Sequence, residues 1–468
     1  MPIDREGTFS LYTLGCKLNQ LEGEAIADSF IKAGFSLVRP GVTHRPGIII
    51  INTCTVTSKA DQKCRRAIRK SLRENPDSCV IVTGCYAHLD PGEIALLEHD
   101  GGAGFGRLFV AVGGEPGCGT GTAKSALLDL PEYAREAIAR SPDASMPEII
   151  ERWMGAARGG GPFEYKPEGF SLHSRGFLKI QDGCDNSCNY CRARLARGPC
   201  VSLPKEEALA RLRSHEEQGC AELMVTGVNI TQYRHSGLDL AGLLEYLLEG
   251  SSAIALRLSS LEPEAVNEKL ASALSSPRIR PHFHLSVQSG SDAVLRSMGR
   301  AYTSQAVEKA ASLLRSVKDN PFLACDIIAG FPGEGTAEFD QTLALCAKIG
   351  FAWIHAFPYS KRPGTMAFTL DKPVCEREIT QRVETLLRLA QKGRADYAQA
   401  WLGRELSAVV EKSPPAGQYR AVSENYLKLL VHSPDKLNPG DSLRCIPLSL
   451  CGGPDGEKPD AVAALVST

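Results

Sequence analysis

Residues 181–191 read QDGCDNSCNYC, so Cys184, Cys188 and Cys191 are separated by three and then two residues. Three thiolates packed this closely can ligate three irons of a cubane 4Fe–4S cluster, which leaves the fourth iron without a protein ligand. An iron with an open position can bind a substrate or a cofactor, as a catalytic zinc ion does. The alternatives are a loop with three structural thiols, or three of the four ligands of a zinc site. Cysteine runs in a chain without a secretion signal favour metal binding or catalysis.

The composition is that of an ordinary globular protein. Of 468 residues, 43% are hydrophobic and 23% are charged, and the formal net charge is −1. Any nucleic-acid surface must therefore be a local patch. The opening residues MPIDREGTFS do not form a signal peptide, and the longest apolar runs are far shorter than a membrane span. With sixteen cysteines, we expect a reducing, cytoplasmic location, metal ligation rather than disulfides, and no membrane partner.

Residues 1–130 alternate apolar, β-prone runs with helical stretches, which predicts an α/β domain with a parallel sheet. The predicted strands are Phe9–Leu14, Ile48–Ile51, Val80–Val82 and Leu108–Val112. A Gly-rich run follows at 113–125, but it does not match a phosphate-binding P-loop. Ala123 stands where the glycine before Lys124 is needed, and Cys118 occupies the position of the other glycine. Residues 131–172 then predict a helical linker.

Regular strand–helix alternation in residues 173–402 predicts a partial (β/α)6 barrel of the TIM type. The six predicted strands lie at 177–181, 221–226, 254–259, 282–287, 322–328 and 352–357. The cysteine loop follows the first of them, where the reactive groups of such folds are found. Residues 403–468 alternate apolar and polar side chains between Pro/Gly turns, which predicts a small antiparallel β-barrel. From this pattern alone, RNA binding and a structural cap are both possible roles.

A second set of cysteines lies at predicted strand ends. Cys16, Cys54 and Cys85 each follow a strand of the first domain by one to three residues. Because the ends of parallel strands share one edge of a sheet, the three thiols can converge there. Gly15 and Gly84 directly precede two of them and permit sharp turns. The alternative is that these cysteines are small apolar packing residues, and the pattern leaves both interpretations open.

The C-x3-C-x2-C loop after a first barrel strand resembles the radical S-adenosylmethionine (SAM) superfamily. Ordered blocks along the chain make nearly all of it similar to the methylthiotransferases; they are TLGCKLNQLEGE, INTCTVTSKADQK, TGCYA, FLKIQDGC, TGVNITQY, RLSSLEP, HLSVQSGSD, DIIAGFPGE and FPYSKRPGT. This resemblance implies an N-terminal domain with a second 4Fe–4S cluster, a radical-SAM barrel and a C-terminal RNA-binding TRAM domain. It also implies that Cys16, Cys54 and Cys85 ligate the second cluster.

The resemblance implies a set of SAM-binding residues at the ends of the barrel strands. They are Thr226, Gly227 and Asn229 after the second strand, Ser259, Ser260 and Glu262 after the third, Gln288 and Ser289 after the fourth, and Asp326 within the fifth. Polar groups at strand ends are where binding residues are expected. Each of them is equally well explained as a cap or turn residue.

The resemblance also implies the reaction. One SAM methylates sulfur at the N-terminal cluster, and a second SAM yields a radical that removes hydrogen from carbon 2 of an adenine, where the methylthio group is inserted. Since that carbon–hydrogen bond is not acidic, we expect no catalytic residue beyond the clusters. We expect both clusters to face one cavity. A reducing electron donor such as flavodoxin or ferredoxin and a sulfur source are implied partners.

The form NTCTVTSKAD is most similar to the subgroup that modifies N6-threonylcarbamoyladenosine next to the anticodon of tRNA. The alternatives are an isopentenyladenosine tRNA or a ribosomal-protein aspartate as the substrate, and, outside enzymes, an iron–sulfur electron carrier or sensor. A cationic face on a predicted helix favours RNA. The RNA-binding candidates are Lys59, Lys63, Arg66 and Lys70 on that helix, and Tyr419, Arg420, Tyr426 and Lys428 in the C-terminal unit. The alternative for the helix is that its charged face is simply solvated. The alternative for the C-terminal unit is that these residues pack within the strands.

The loop after Cys191 departs from the family pattern. The family usually continues with two apolar residues, a proline and then Arg-Gly. Here Arg192 and Arg194 replace an apolar residue and the proline, whereas Arg197 and Gly198 remain. The resemblance therefore does not predict the local shape of this loop.

Overall fold

The computed structural model describes residues 7–38, 45–101, 106–112, 121–157, 159–170, 172, 174–411, 417–451 and 458–466. Most of the Gly-rich run, residues 113–120, lies outside the described residues. The chain divides into two compact units. Where described, the first unit comprises residues 1–172, 182–186 and 191–201, and the second comprises residues 173–181, 187–190 and 202–468.

A parallel sheet forms the centre of the first unit, as the strand–helix alternation predicts. Its strands are β1 (Thr8–Thr13), β2 (Ser36–Leu37), β3 (Ile48–Thr53), β4 (Cys79–Gly84) and β5 (Leu108–Val110), in the spatial order β2-β1-β3-β4-β5. The central strand β3 is buried along its whole length because both faces of the sheet are covered. Ile48 and Ile50 pack with Phe30 on one face, whereas Ile49 and Ile51 pack with Ile68 on the other.

Helices cover both faces of this sheet. They are α1 (Lys17–Lys32), α2 (Ser58–Glu74), α3 (Cys85–Leu89), α4 (Pro91–Ala95), α5 (Gly121–Ala126), α6 (Leu130–Arg140) and α7 (Met146–Ala156), with a 3-10 turn at Leu96–Gly101. Helix α8 (Ala193–Arg197) also belongs to the first unit and lies against α3. Helices α6 and α7 lie in the segment predicted as a helical linker. They bury Leu130, Ile149, Ile150 and Trp153 in the same core as Ile48 and Ile50, so this segment is part of the folded unit.

Six parallel strands form the centre of the second unit, which confirms the predicted partial barrel. They are β6 (Gly176–Lys179), β9 (Glu222–Thr226), β10 (Ala255–Leu258), β11 (His282–Gln288), β12 (Phe322–Ala329) and β13 (Trp353–Pro358), and the two-residue strands β7 (Gln181–Asp182) and β8 (Val201–Ser202) flank the cysteine loop in the chain. The ladders run β6-β9-β10 and β11-β12-β13. Parallel bridges at Leu256–Ile279 and Leu261–Leu285 connect the two ladders.

The helices of the second unit alternate with these strands. They are α9 (Lys205–Glu217), α10 (Leu240–Glu249), α11 (Glu268–Leu274), α12 (Asp292–Ser297), α13 (Ser304–Val317), α14 (Thr336–Ile349) and α15 (Glu376–Ala400), with 3-10 turns at Ile230–Gln232, Pro263–Ala265 and Met366–Thr369. Among the described residues, no helix has both the length and the apolar character needed to cross a bilayer.

The C-terminal strands close into a barrel, as predicted. They are β14 (Leu406–Val410), β15 (Gln418–Ser423), β16 (Lys428–His432), β17 (Ser442–Leu450) and β18 (Ala461–Leu465), in the order β14-β15-β16-β18-β17. The pairing is antiparallel except between β16 and β18, which are parallel. The barrel shares a hydrophobic core with Phe322 of β12 and with Tyr397 and Trp401 at the end of α15. This shared core fixes the small barrel on the β/α barrel.

Two glycines let the chain turn at the strand ends of the first unit. Gly15 and Gly84 have φ of +110° and +98°, a left-handed region that other residues rarely adopt. A Cβ on Gly84 would lie 2.3 Å from the carbonyl oxygen of Thr53, and one on Gly15 would lie 2.4 Å from the Cβ of Cys54. The turns before Cys16 and Cys85 therefore require glycine for both conformation and space.

Replacing Gly84 with alanine is expected to lower the free energy of unfolding by about 2 kcal/mol or more, because the backbone strain adds to the clash with Thr53. Chemical denaturation of the full chain measures this change. The matched control is Gly92→Ala in α4, where an added Cβ meets no heavy atom within 4 Å and a helical alanine is favoured. Equal stability of the Gly84→Ala variant and the wild type would contradict this account of the turn.

Candidate functional site

The three strand-end cysteines of the first unit lie at one edge of its sheet. Cys16 directly precedes α1, Cys54 directly follows β3, and Cys85 is the first residue of α3 after β4. Strands β1, β3 and β4 are adjacent and parallel, so their ends meet at the same edge. A Cβ on Gly15 would lie 2.7 Å from the Sγ of Cys54, which places the Cys16 turn directly against the Cys54 thiol.

The environment of Cys54 is unfavourable for a thiolate unless a cation is bound. Cys54 is 5% exposed, and burial raises its pKa to about 12, with smaller contributions from the neighbouring Cys16 and Cys85. The three thiols are therefore close enough to influence one another electrostatically. Metal binding supplies the positive charge that deprotonates such thiols, so these residues fit an iron–sulfur cluster.

No group of three His, Cys, Asp or Glu side chains in the described residues converges on the position of a single metal ion. A cubane does not require such convergence, because each cysteine ligates a different iron at a different corner.

A buried charged cluster lies beside the Cys16 segment within the first unit, and sequence reasoning missed it. Arg197 Nη1 lies 2.8 Å from Glu22 Oε1 and 3.1 Å from Asp182 Oδ2, and its Nη2 donates to Asn19 Oδ1 over 2.9 Å. Lys124 Nζ also pairs with Glu22. Two cations and two carboxylates are thereby enclosed together, all almost fully buried.

Pairing determines the charge state of this cluster. Burial lowers the pKa of Lys124, and Glu22 opposes that shift. Burial also acts to lower the pKa of Arg197, but Glu22 and Asp182 outweigh it and raise the pKa. Removing one partner from a buried ion pair costs about 3–5 kcal/mol. The cluster therefore fixes α1, which begins directly after Cys16, against the segments of Asp182 and Arg197.

The cysteine loop is anchored by its backbone on both sides. Cys184 and Cys191 belong to the first unit and Cys188 to the second. The Cys184 N–H donates to the Gly198 carbonyl over 3.1 Å, and the Ala193 N–H donates to the Cys191 Sγ over 3.3 Å. In the second unit, the Asn189 N–H donates to the Met298 carbonyl over 2.9 Å. These hydrogen bonds hold the backbone of the loop next to Cys184, Cys188 and Cys191.

Arg300 contacts both Cys188 and Glu262, and sequence reasoning did not single it out. Its Nη1 donates to the Cys188 Sγ over 3.2 Å, and its Nη2 donates to Glu262 Oε2 over 2.6 Å. Burial raises the pKa of Glu262 to about 7, although the Arg300 charge opposes the shift. Tyr302 accepts from Arg300 Nε over 2.9 Å. A cation is thus positioned directly at a cysteine of the loop.

The predicted residues after β9 and β10 lie where the sequence placed them, at the strand ends. Gly227 faces Gln181, whose Oε1 would lie 2.7 Å from an added Cβ. The same Gln181 oxygen accepts from the Asn229 N–H over 2.8 Å, and Thr226 accepts from Ile180 through its carbonyl. Ser260 is half-buried. Ser259 Oγ is buried without a hydrogen-bond partner among the described residues, which marks it as a group that a bound molecule can satisfy.

Several predicted residues make contacts within the protein. Asn229 Oδ1 accepts from the N–H and hydroxyl of Thr231, and Ser289 Oγ accepts from the Ser291 N–H over 3.1 Å. These contacts are those of turn residues, which is the alternative to SAM binding given for these positions. Gln288 has a φ of +62°, an uncommon conformation for a residue with a side chain and a form of strain found at functional sites.

Asp326 faces a pair of histidines in the second unit. Its Oδ1 lies 3.0 Å from His284 Nε2, and the ring of His284 stacks on that of His355 with centroids 5.1 Å apart. Burial acts to raise the pKa of Asp326, but His284 and then His355 outweigh it and lower the pKa. Asp326 is therefore an ionised acceptor inside the β/α barrel.

The RNA-binding candidates differ in accessibility. Lys59, Lys63, Arg66 and Lys70 are all exposed on α2. In the C-terminal barrel, Arg420 is exposed, whereas Tyr419 is only 7% exposed and its hydroxyl donates to the Asp435 carbonyl.

Tyr426 and Lys428 are also engaged within the protein. The ring of Tyr426 packs on His282 with centroids 4.0 Å apart, and Lys428 is half-buried. Both rings are therefore packed within the protein, Tyr419 in β15 and Tyr426 between β15 and β16.

Comparison with known protein families identifies two matching regions. Residues 178–346 match the radical SAM superfamily, and residues 8–102 match a family described as uncharacterized protein family UPF0004. The first match covers the cysteine loop and strands β9–β12. The second covers the segments of Cys16, Cys54 and Cys85.

Relatives of the whole chain are named methylthiotransferases. A threonylcarbamoyladenosine tRNA methylthiotransferase MtaB of Treponema pallidum (strain Nichols) is 40% identical and covers 89% of this chain and 93% of its own length. A protein of the same name from Thermotoga maritima is 32% identical, with 90% of each chain covered. A tRNA-2-methylthio-N(6)-dimethylallyladenosine synthase of Cereibacter sphaeroides is 28% identical over 92% of this chain and 94% of its own. With 40% identity along almost its entire length, the chain belongs to the threonylcarbamoyladenosine tRNA methylthiotransferase family.

Proposed function

We propose that this protein is a tRNA-modifying enzyme that methylthiolates carbon 2 of N6-threonylcarbamoyladenosine next to the anticodon, in the cytoplasm. The observation that supports this most directly is the 40% identity over 89% of the chain to a relative of that name. The C-x3-C-x2-C loop after the first barrel strand supports the radical SAM chemistry. The 28% identity to a dimethylallyladenosine synthase is lower, so the threonylcarbamoyl substrate is preferred.

The radical SAM match implies one 4Fe–4S cluster and SAM. When bound, that cluster and SAM would supply the radical chemistry at carbon 2, and a second cluster would hold the sulfur to be transferred. Cys184, Cys188 and Cys191 would ligate three irons and leave the fourth for SAM.

The other groups of the barrel would bind and orient SAM. The buried Ser259 hydroxyl offers a hydrogen bond without a partner among the described residues. Asp326 offers an ionised acceptor, and Arg300 places a positive charge at Cys188. Gly227 packs closely against Gln181, where any side chain would clash. Thr226, Asn229, Ser260, Glu262, Gln288 and Ser289 complete the proposed set; the contacts of Asn229 and Ser289 favour a positioning role for those two.

We assign the second cluster to Cys16, Cys54 and Cys85. The support is their position at one sheet edge, the positive φ of Gly15 and Gly84, and the electrostatic influence of Cys16 and Cys85 on the buried Cys54 thiol. A bound cluster removes the cost of burying Cys54 as a thiolate. The electron donor, such as flavodoxin or ferredoxin, and the sulfur source would be separate proteins or small molecules.

We assign RNA binding to the cationic face of α2, which has Lys59, Lys63, Arg66 and Lys70 exposed along it. The helix contains seven Lys or Arg between residues 59 and 73 and one acidic residue, Asp61, in the same interval. Such a face suits the phosphates of a tRNA. In the C-terminal barrel, we propose exposed Arg420 of β15 as a contact to RNA. The position of β15 would be supported by Tyr419, Tyr426 and Lys428.

Deleting the gene is expected to abolish the 2-methylthio derivative of N6-threonylcarbamoyladenosine in tRNA, while the unmethylthiolated nucleoside accumulates. Nucleoside analysis of total tRNA by mass spectrometry measures both. Wild-type protein should restore the derivative, and a Cys184/Cys188/Cys191→Ala variant should not. An unchanged level after deletion would refute the proposal, and loss of methylthio-isopentenyladenosine instead would assign the other tRNA substrate.

Anaerobic reconstitution is expected to give about eight irons per chain in the wild type and about four in a Cys16/Cys54/Cys85→Ala variant, since each triad would bind one cubane. Iron and sulfide determination measures this. The control is Cys64→Ala, whose buried thiol belongs to neither triad and whose loss should leave about eight irons. Equal iron content in the wild type and the triple variant would exclude the second cluster.

Replacing Lys59, Lys63, Arg66 and Lys70 with glutamine is expected to weaken tRNA binding and to flatten its salt dependence. Each lost phosphate contact removes about 0.7–0.9 from the slope of log affinity against log salt. Binding titrations at several salt concentrations measure the slope. A control with Lys309, Arg377, Arg388 and Lys392 replaced, all exposed on α13 or α15, has the same net charge. The same slope for both variants would rule out a specific role of α2.

A further inference from the structure

We propose that Arg192, which replaces an apolar residue of the family pattern, is a positioning residue for the second iron–sulfur cluster. It lies directly after Cys191 in the cysteine loop, yet its side chain contacts the segments of Cys54 and Cys85. The inference rests on the proposed assignment of the second cluster to Cys16, Cys54 and Cys85. It adds that the geometry of the second cluster depends on a residue from the loop that contains Cys184, Cys188 and Cys191.

The contacts of Arg192 lie within the first unit. Its Nη1 and Nη2 donate to the two carboxylate oxygens of Asp90 over 3.0 and 3.3 Å. Nη1 also lies within 3.4 Å of the Thr55 hydroxyl. Asp90 directly follows α3, the helix that begins with Cys85, and Thr55 directly follows Cys54. One guanidinium therefore joins the two strand-end segments that contain these cysteines.

The burial of Arg192 shows that these contacts are not those of a surface side chain. Its side chain is 8% exposed, and that of Asp90 is 27% exposed. A forked arginine–carboxylate pair fixes orientation as well as distance. A desolvated cation that must be paired is stable only where its partners are in place, so the guanidinium and the Asp90 and Thr55 segments determine one another's positions.

One nitrogen of Arg192 remains for a ligand. Its Nε is buried and has no acceptor among the described residues, although Asp90 and Thr55 occupy the other nitrogens. Buried donors in folded proteins are nearly always satisfied. Anionic sulfur of the proposed cluster would be an acceptor of fitting charge, and hydrogen bonds to cluster sulfur tune the reduction potential.

Arg197 completes the arrangement from the same loop. It pairs with Glu22 and Asn19 of α1, and α1 begins directly after Cys16. Arg197 and Arg192 together thus contact all three segments of the second triad. Arg197 matches the family pattern and Arg192 does not, so the family pattern does not predict the link to Cys54 and Cys85.

The test isolates the second cluster in full-length protein with Cys184, Cys188 and Cys191 replaced by alanine. The variants Arg192→Leu, Arg192→Lys and Asp90→Asn are compared in this background after anaerobic reconstitution. The control is Arg194→Leu, which removes an exposed arginine of the same loop. The measurements are the rate of iron release to a chelator and the midpoint potential by EPR-monitored titration. Circular dichroism establishes that each variant is folded.

We expect Arg192→Leu to release iron roughly tenfold faster, the lower end of the effect of removing an outer-shell partner of a metal site. Its midpoint potential should become more negative, because a positive charge and a donor that favour the reduced cluster are lost. Arg192→Lys should keep the potential closer to that of the parent while releasing iron faster. Lysine keeps the positive charge but cannot make the paired hydrogen bonds to both oxygens of Asp90. Arg194→Leu should match the parent.

The outcomes separate this inference from the proposed function. If the parent background binds no iron, the second cluster itself is refuted. If it binds about four irons and Arg192→Leu matches it in rate and potential, or if Arg194→Leu has the same effect as Arg192→Leu, the positioning role is refuted. If Arg192→Leu does not fold, Asp90→Asn decides: faster iron release supports the role, and an unchanged rate overturns it.

Discussion

The paired charges around Arg197 are the interaction on which the first unit depends. A nearly buried arginine is tolerated only because Glu22 and Asp182 neutralise it at 2.8 and 3.1 Å and Asn19 accepts a further hydrogen bond. Those partners belong to α1 and to the segment that precedes Cys184. The same pairing that makes the burial of charge possible therefore fixes the helix after Cys16 and the start of the cysteine loop with respect to Arg197.

The sheet and the charged groups contribute differently to the site. The parallel sheet brings Cys16, Cys54 and Cys85 to one edge through backbone hydrogen bonds alone, and Gly15 and Gly84 let the chain turn there. The sheet does not determine how the loops beyond that edge are oriented. Arg192, Arg197 and Lys124 orient them, because each joins segments that the sheet leaves independent. A rigid scaffold with ion-paired loops suits a site that must position reactive groups.

The sequence predicted more of the fold than of the polar contacts. The strand–helix alternation identified the parallel sheet, the six barrel strands and the closed C-terminal barrel, because side-chain periodicity reports burial locally. It did not predict the parallel pairing of β16 with β18, which depends on barrel closure. It also did not distinguish RNA contact from packing for Tyr419 and Tyr426. Periodicity alone does not show what covers a ring. Tyr419 is buried in β15, whereas Tyr426 lies between β15 and β16 and packs against the core that the barrel shares with β12 and α15.

The sequence by itself determined the two cysteine sets, their places after strands and the family, since spacing along a chain and strand order are local properties. Only the tertiary structure revealed Arg192, Arg197, Lys124 and Arg300 as neighbours of the cysteines. Their partners are far away in the chain, 175 residues for Arg197 and Glu22 and 102 residues for Arg192 and Asp90. No local pattern of residues encodes such a pairing. A buried ion pair forms between residues that the folded core brings together, whatever their separation in the sequence.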